Sequence, residues 1–157
     1  MRTKWKAPTH GMFKLNCDAS VGSNGEWVGL GGVVCGSDGN LLMAFGERVA
    51  GRYSPYVAEL QAIIQGLEML VDRGWTHVIV ESDCTEAVSM INGDMKRVLL
   101  LLINGYVLIE KAKLFLESLG LECIFFVLRD GNGVAHEIAN KVAWLEGRHV
   151  WLGVEPD

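Results

Sequence analysis

The sequence predicts an α/β fold, a five-stranded mixed sheet with helices on both faces. The first third of the chain consists of strand-like segments joined by short turns. The rest alternates helical periodicity with short β-branched or aromatic runs. Three antiparallel strands, followed by crossovers to two parallel strands, produce a sheet of this kind. With 157 residues, half of them apolar, the chain has the length and composition of one such domain.

The predicted antiparallel strands come first. In MFKLNCD (residues 12–18) apolar and polar side chains alternate, as in a strand with one buried face. Residues 27–35 and 41–49 form two further apolar segments. The SDGN stretch between them contains the pair Asp38 and Gly39, which favours a tight hairpin turn. Short turns of this type join antiparallel neighbours.

Helical spacing begins at Pro55, because apolar residues then recur every three or four positions as far as Asp72. HVIVES, residues 77–82, is a short β-branched run typical of a buried strand. CTEAVSMI begins a second helix, which Gly93 ends. The last predicted elements are a helix over residues 98–119, a strand over 121–128 and a helix over 134–145.

Composition and charge narrow the class of protein. A net charge of −5 argues against indiscriminate binding to nucleic acid, although residues 1–17 contain four basic residues and no acid. No apolar run is long enough to cross a bilayer, and the N-terminal segment lacks the apolar core of a secretory signal. The four cysteines stand singly, so neither a disulfide framework nor a zinc site is expected. These features predict an intracellular protein, in the cytoplasm or nucleus, without a membrane partner.

Three acids stand at the edges of otherwise apolar elements. Asp18 lies where the first strand ends, Asp83 where the fourth ends, and Glu59 in the first turn of the first helix. If those strands are neighbours, the carboxylates converge, and crowded carboxylates need a counter-charge such as Mg²⁺ or Mn²⁺. A pair of such ions can promote phosphodiester cleavage. Singly, each acid also suits a structural role, Asp83 as a helix cap and Glu59 as a partner of the helix dipole.

Four motifs in order resemble the type 1 family of ribonuclease H. They are NCDAS (16–20), AELQAI (58–63), ESD (81–83) and RDGNGVAHEIA (129–139). The pattern W-x-x-P-x-x-G-x-x-K-x-N-x-D-A-S, from Trp5 to Ser20, resembles the opening of plant ribonuclease H-like domains related to non-LTR retroelement reverse transcriptases. The likeness extends to Trp151 and therefore covers nearly the whole chain.

This resemblance implies a ribonuclease H-like fold and an endonuclease that hydrolyses the RNA strand of RNA–DNA hybrids. It implies that Asp18, Glu59 and Asp83 hold two Mg²⁺ (or Mn²⁺) ions, with Asp18 bridging them. The family usually has a fourth acid four residues after the Asn that opens the last helix. Here that Asn is Asn132, and the fourth position is His136. A neutral imidazole can ligate a metal, and it favours Mn²⁺ over Mg²⁺.

Substrate contacts are expected from Asn16, Ser20 and Asn132. The amide of Asn16 suits the 2′-hydroxyl that distinguishes RNA from DNA, and it equally suits a hydrogen bond inside the strand end. Two features of many relatives are missing from the sequence. Residues 129–131 contain no His, and residues 93–98 contain only two basic residues where a basic protrusion usually grips the hybrid. Both differences predict slow turnover or weak binding.

We expect one domain over residues 12–151, preceded by an extended lead-in (1–11) and followed by a tail (152–157). The run VLLLLI, from Val98 to Ile103, is apolar around the whole helix and suggests a protein partner, self-association or membership of a larger polyprotein. Two alternatives to a ribonuclease H remain open. One is a catalytically inactive module that binds nucleic acid or protein, and the other is a different nuclease or strand-transfer enzyme of the same superfamily.

Overall fold

A computed structural model of the protein describes residues 4–22, 25–93 and 105–153. In this part of the chain, six strands form one sheet and four α-helices accompany it. The strands are β1 (Phe13–Val21), β2 (Trp27–Cys35), β3 (Leu41–Ala50), β4 (Val78–Ser82), β5 (Phe125–Phe126) and β6 (Arg148–Leu152). The helices are α1 (Pro55–Asp72), α2 (Thr85–Ile91), α3 (Tyr106–Ser118) and α4 (Gly133–Val142).

The sheet has the predicted mixed topology. Its strand order is β5-β4-β1-β2-β3-β6. The pairs β1–β2, β2–β3 and β3–β6 are antiparallel, whereas β1–β4 and β4–β5 are parallel. The prediction of five strands is wrong, because β6 adds a sixth at the outer edge of β3. The side chains of β6 alternate between exposed and half-buried, so no fully buried face marks this strand in the sequence.

The predicted helices are observed with shifted ends. α1 has the predicted bounds, because the Ser54 hydroxyl accepts a hydrogen bond from the Val57 N–H and caps the helix. The last helix ends at Val142, three residues before the predicted end. The last parallel strand, predicted over 121–128, consists of β5 alone.

The predicted helix over 98–119 is described only in part. Its described part is α3, whereas the run from Val98 to Ile103 lies outside the described residues. Among the described helices, none combines the length and the apolar character that a membrane span requires.

The parallel pairing of β1 with β4 ends just before Asp18. The prediction that Asp18 lies where the first strand ends is wrong, because β1 continues to Val21 in its antiparallel pairing with β2. In this parallel pair Cys17 lies opposite Ser82. Asp18 and Asp83 are the next residues on the two strands, so both follow the same point of the sheet. Parallel neighbours present their carboxyl ends at one edge, where ligands bind in α/β folds.

α1 packs closely on β1 because a glycine faces the strand. A Cβ atom at Gly66 would lie 2.7 Å from Cys17 Sγ and 2.9 Å from Leu15 Cδ2. Leu60, Ile63 and other apolar residues of α1 are fully buried in the same core. This close approach holds the first turn of α1 beside the end of β1.

α4 lies on the opposite face of the sheet, and glycines again make room for it. A Cβ atom at Gly29 would lie 2.1 Å from Ala139 O, and one at Gly31 would lie 2.6 Å from Ala139 N. The small residues Ala135 and Ala139 are fully buried in this contact. Consequently the first turn of α4 reaches β1 and the strand-end acids.

The lead-in is attached to the sheet. The indole Nε1 of Trp5 donates a 3.1 Å hydrogen bond to Oδ1 of the buried Asn16. Lys14 Nζ donates to the carbonyl of Lys6 and lies 5.5 Å from the centre of the Trp5 ring. Lys14 also pairs with Glu81 of β4 at 3.2 Å. The described part of the lead-in therefore packs with the domain.

Candidate metal centre

Three carboxylates from three elements meet at the edge of the sheet. Asp18 comes from β1, Glu59 from the first turn of α1, and Asp83 directly follows β4. One ligand oxygen from each lies within 4.8 Å of those of the other two. The structure therefore brings together the three acids that the sequence singled out.

Burial makes this cluster costly to ionise. Burial, followed by the neighbouring Asp18 carboxylate, raises the pKa of Glu59 to about 10. Burial and Asp18 also raise the pKa of Asp83, although the Arg129 guanidinium acts in the opposite direction. Three crowded acids therefore tend to hold a proton or a cation.

The donor atoms of the cluster fit a hard divalent cation. Asp18 Oδ1 and Glu59 Oε2 are buried, and neither has a hydrogen-bond partner in the described part of the chain. Buried carboxylate oxygens are normally paired, so two unpaired oxygens in one compact group favour ligation. Carboxylate oxygens are the ligands that Mg²⁺ and Mn²⁺ prefer.

His136, on the first turn of α4, contacts this cluster through Asp18. Its Nδ1 lies 2.7 Å from Asp18 Oδ2. The Asn140 amide nitrogen, one turn further along α4, lies 3.2 Å from its Nε2. Among the described residues, the compact group of potential ligands contains the three acids and not His136. The predicted role of His136 as a fourth ligand stays a prediction, and the structure shows its ring beside Asp18.

Arg129 was missed as a site residue in the sequence. Its Nε donates a 2.6 Å hydrogen bond to Asp83 Oδ2. Its Nη1 lies 2.8 Å from His136 Nδ1. Sequence reasoning noted only the missing His in residues 129–131. The sequence feature that could have identified it is the position of a basic residue directly before the helix that carries His136.

Asn16 and Asn132 bond to each other beneath the cluster. Each is 1% exposed, and Asn16 Nδ2 donates to Asn132 Oδ1 at 3.0 Å. Asn16 also donates to Glu81 Oε1, and Asn132 donates to the carbonyl of Cys17 at 2.8 Å. These bonds favour the structural alternative for Asn16, since its amide already has internal partners. Ser20 lies half-buried near the end of β1.

All four cysteines are free thiols. Burial raises the pKa of the Cys17 thiol well above its usual range. Burial also raises the pKa of the Cys84 thiol, to about 11. Both thiols are therefore protonated and weakly reactive at neutral pH.

Comparison with known proteins agrees with the fold. No curated protein matches the chain by sequence. Many solved structures are similar to it, including the following three. The N-terminal RNase H domain of a Mycobacterium tuberculosis protein, solved as a fusion with maltose-binding protein, is 25% identical, with a TM-score of 0.70, over 84% of this chain and 93% of that one. RNase H1 from the halophilic archaeon Halobacterium salinarum is 22% identical, with a TM-score of 0.72, over 84% of this chain and 97% of that one. LC11-RNase H1 in complex with an RNA/DNA hybrid is 23% identical, with a TM-score of 0.67, over 83% of this chain and 96% of that one.

The family comparison covers most of the chain. A model described as reverse transcriptase-like matches residues 16–142. This range contains all three acids and His136. The narrower resemblance to plant retroelement-related domains stays a prediction. The chain belongs to the reverse transcriptase-like family, and its fold is that of ribonuclease H.

Proposed function

We propose that the protein is a metal-dependent endonuclease that hydrolyses the RNA strand of RNA–DNA hybrids. The observation that carries this proposal is the compact group of Asp18, Glu59 and Asp83, with two buried and unpaired oxygens. Asp18 and Asp83 lie where the parallel pairing of β1 with β4 ends, in a ribonuclease H fold. The similarity to an RNase H1 solved with an RNA/DNA hybrid supports this choice of substrate.

Asp18, Glu59 and Asp83 would together hold two Mg²⁺ or Mn²⁺ ions. Bound ions of this type lower the pKa of a water and neutralise charge on a phosphodiester. The chain's own contribution is to fix the carboxylates. The close packing of α1 on β1 positions Glu59, and the Ala19 N–H donates a hydrogen bond to its carboxylate.

His136 would take the place of the usual fourth acid. Its bond to Asp18 Oδ2 orients that carboxylate, and its imidazole is a competent nitrogen ligand. An imidazole nitrogen is a softer donor than a carboxylate oxygen, which favours Mn²⁺ over Mg²⁺. The buried bonds of Asn16 and Asn132 leave Ser20 as the remaining candidate for substrate contact.

The cellular context is also a proposal. RNA–DNA hybrids arise inside cells, in the cytoplasm and the nucleus, so we place the protein there. The run from Val98 to Ile103 stays the candidate contact with a protein partner, a second copy or the rest of a polyprotein.

The proposal is tested with an end-labelled RNA–DNA hybrid incubated with Mg²⁺, Mn²⁺ or EDTA. Wild-type protein should cut the RNA strand only when a divalent ion is present. Asp18→Asn should abolish cleavage, whereas the matched control Glu137→Gln, at an exposed position of α4, should cut like wild type. Metal-independent cleavage, or equal cleavage by folded Asp18→Asn, contradicts the mechanism.

The second candidate is a module that binds nucleic acid without cutting it. One observation favours it: the position of the usual fourth acid is occupied by His136, which lies outside the compact ligand group. A folded wild-type sample that binds the hybrid with either metal and leaves both strands intact would select this function.

A further inference from the structure

Among the lysines and arginines that the structure describes, only Arg129 forms an ion pair with an acid of the metal centre. It lies in a short 3₁₀ turn, Arg129–Gly131, directly before α4. Its Nε donates to Asp83 Oδ2 at 2.6 Å, and its Nη1 lies within 3.2 Å of both ring nitrogens of His136. Its side chain is 59% exposed, whereas that of Asp83 is 6% exposed.

We propose that Arg129 is a built-in counter-ion that competes with divalent cations for Asp83 and thereby sets the metal affinity of the site. The inference rests on the proposed metal centre but not on the identity of the substrate. Arg129 is not a metal ligand, and it would act through Asp83 and His136.

Two physical arguments support competition. A guanidinium keeps its charge at any physiological pH, so it repels a second cation placed on the same carboxylate. The bond from Nε also occupies Asp83 Oδ2, one of the few oxygens with which the cluster can ligate. A cation bound at Oδ2 would share that oxygen with Arg129, and the repulsion between the two cations weakens both contacts.

The exposure of Arg129 makes this exchange feasible. A side chain that is mostly solvated can move to water without losing a buried packing site. Because the Asp83 side chain is nearly buried, its carboxylate attracts whichever cation lies beside it more strongly than an exposed carboxylate would. A divalent ion from the solvent and the guanidinium of Arg129 therefore compete for the carboxylate of Asp83.

The test measures binding of Mn²⁺ and Mg²⁺ by isothermal titration calorimetry at fixed pH. Arg129→Gln should bind each metal more tightly, by on the order of tenfold. Arg129→Lys keeps the positive charge and should bind close to wild type. The matched control is Arg148→Gln, which removes an arginine of similar exposure that pairs with Glu47 away from the cluster. It should leave the affinity unchanged.

Thermal unfolding in EDTA establishes that each variant is folded, and Arg129→Ala serves as a second neutral variant. Unchanged or weaker metal binding by folded Arg129→Gln and Arg129→Ala overturns the proposal and makes Arg129 a structural link between its turn and Asp83. Absence of metal binding in every variant overturns both the inference and the proposed function. Tighter binding by the neutral variants, together with a wild type that does not cut the hybrid, supports the inference and refutes the nuclease.

Discussion

The Nδ1 atom of His136 lies 2.7 Å from Oδ2 of Asp18, although 118 residues of chain separate them. An ionised carboxylate oxygen can only accept, so this bond requires a hydrogen on Nδ1. In that tautomer the acceptor of the ring is Nε2, which lies 3.2 Å from both Arg129 Nη1 and the Asn140 amide nitrogen. The other oxygen, Asp18 Oδ1, is buried without a partner in the described part of the chain. The two oxygens of Asp18 therefore differ: the protein orients one, and the other is available to a cation.

This relationship predicts the effect of changing His136. His136→Ala removes the orienting bond and should lower kcat/KM on an RNA–DNA hybrid by about 10- to 100-fold, the usual range when a partner of a metal ligand is lost. His136→Asp supplies a charged oxygen ligand and should raise the ratio of Mg²⁺-supported to Mn²⁺-supported cleavage. Steady-state kinetics with each metal measure both effects. Glu137→Ala, at the exposed neighbouring position, is the control. Equal kinetics for His136→Ala and wild type would show that the contact has no role in cleavage.

The raised pKa of Glu59 predicts how stability changes with pH when metal is removed. Folding raises this pKa from 4.5 to about 10, so the folded state binds the proton more tightly than the unfolded chain. In EDTA the free energy of unfolding should therefore fall as pH rises between these values, by at most about 1.4 kcal/mol per pH unit for one carboxyl group. Below that window both states are protonated, and the contribution is fully present.

Urea unfolding in EDTA at about pH 6 and about pH 8 measures this dependence. Glu59→Gln cannot ionise and should reduce the pH dependence. Saturating Mg²⁺ should oppose the loss of stability at the higher pH, since the cation neutralises the ionised carboxylates. A variant with the same pH dependence as wild type would assign the effect to other groups.

The contact of α4 with the sheet predicts a large difference between two Gly→Ala substitutions. Gly29→Ala would place a Cβ atom 2.1 Å from Ala139 O and force α4 away from β2. Overpacking of this type destabilises a protein by about 1–3 kcal/mol. Gly133→Ala, at the start of α4, meets nothing within 4 Å and should be neutral or stabilising. Urea unfolding of the two variants gives the comparison, and equal stabilities would refute the close contact.

The bond between Trp5 and Asn16 predicts that removing the indole nitrogen lowers the stability of the protein even when an aromatic ring is kept. Trp5→Phe keeps an aromatic ring beside Lys14 and leaves the buried Asn16 Oδ1 without its indole partner. An unsatisfied buried acceptor costs about 1–3 kcal/mol. Trp144→Phe, at a position 70% exposed, should change stability little. If both variants unfold at the same urea concentration as wild type, the bond does not contribute.

The parts of the fold that follow from local sequence were predictable. The Ser54-Pro55 start and the apolar spacing of α1 fix both ends of that helix. The convergence of Asp18 and Asp83 could be predicted because it depends only on whether two strands are neighbours.

The features that depend on long-range contacts were not predictable. β6 is held by pairing with β3, about a hundred residues earlier, and has no fully buried face of its own. The contact of Arg129 with Asp83 depends on the direction of a long, mostly exposed side chain, which periodicity does not encode. Asn16 was ambiguous for a related reason, since its four internal partners come from other parts of the chain.

The attached lead-in and the sixth strand have a consequence for anyone transplanting this domain into another protein. The family match spans residues 16–142, yet Trp5 lies before that range and β6 after it. A fusion trimmed to the matched range would leave a buried amide oxygen without its indole donor and would leave the outer edge of β3 without its strand. The portable unit therefore begins ahead of Trp5 and continues past Leu152.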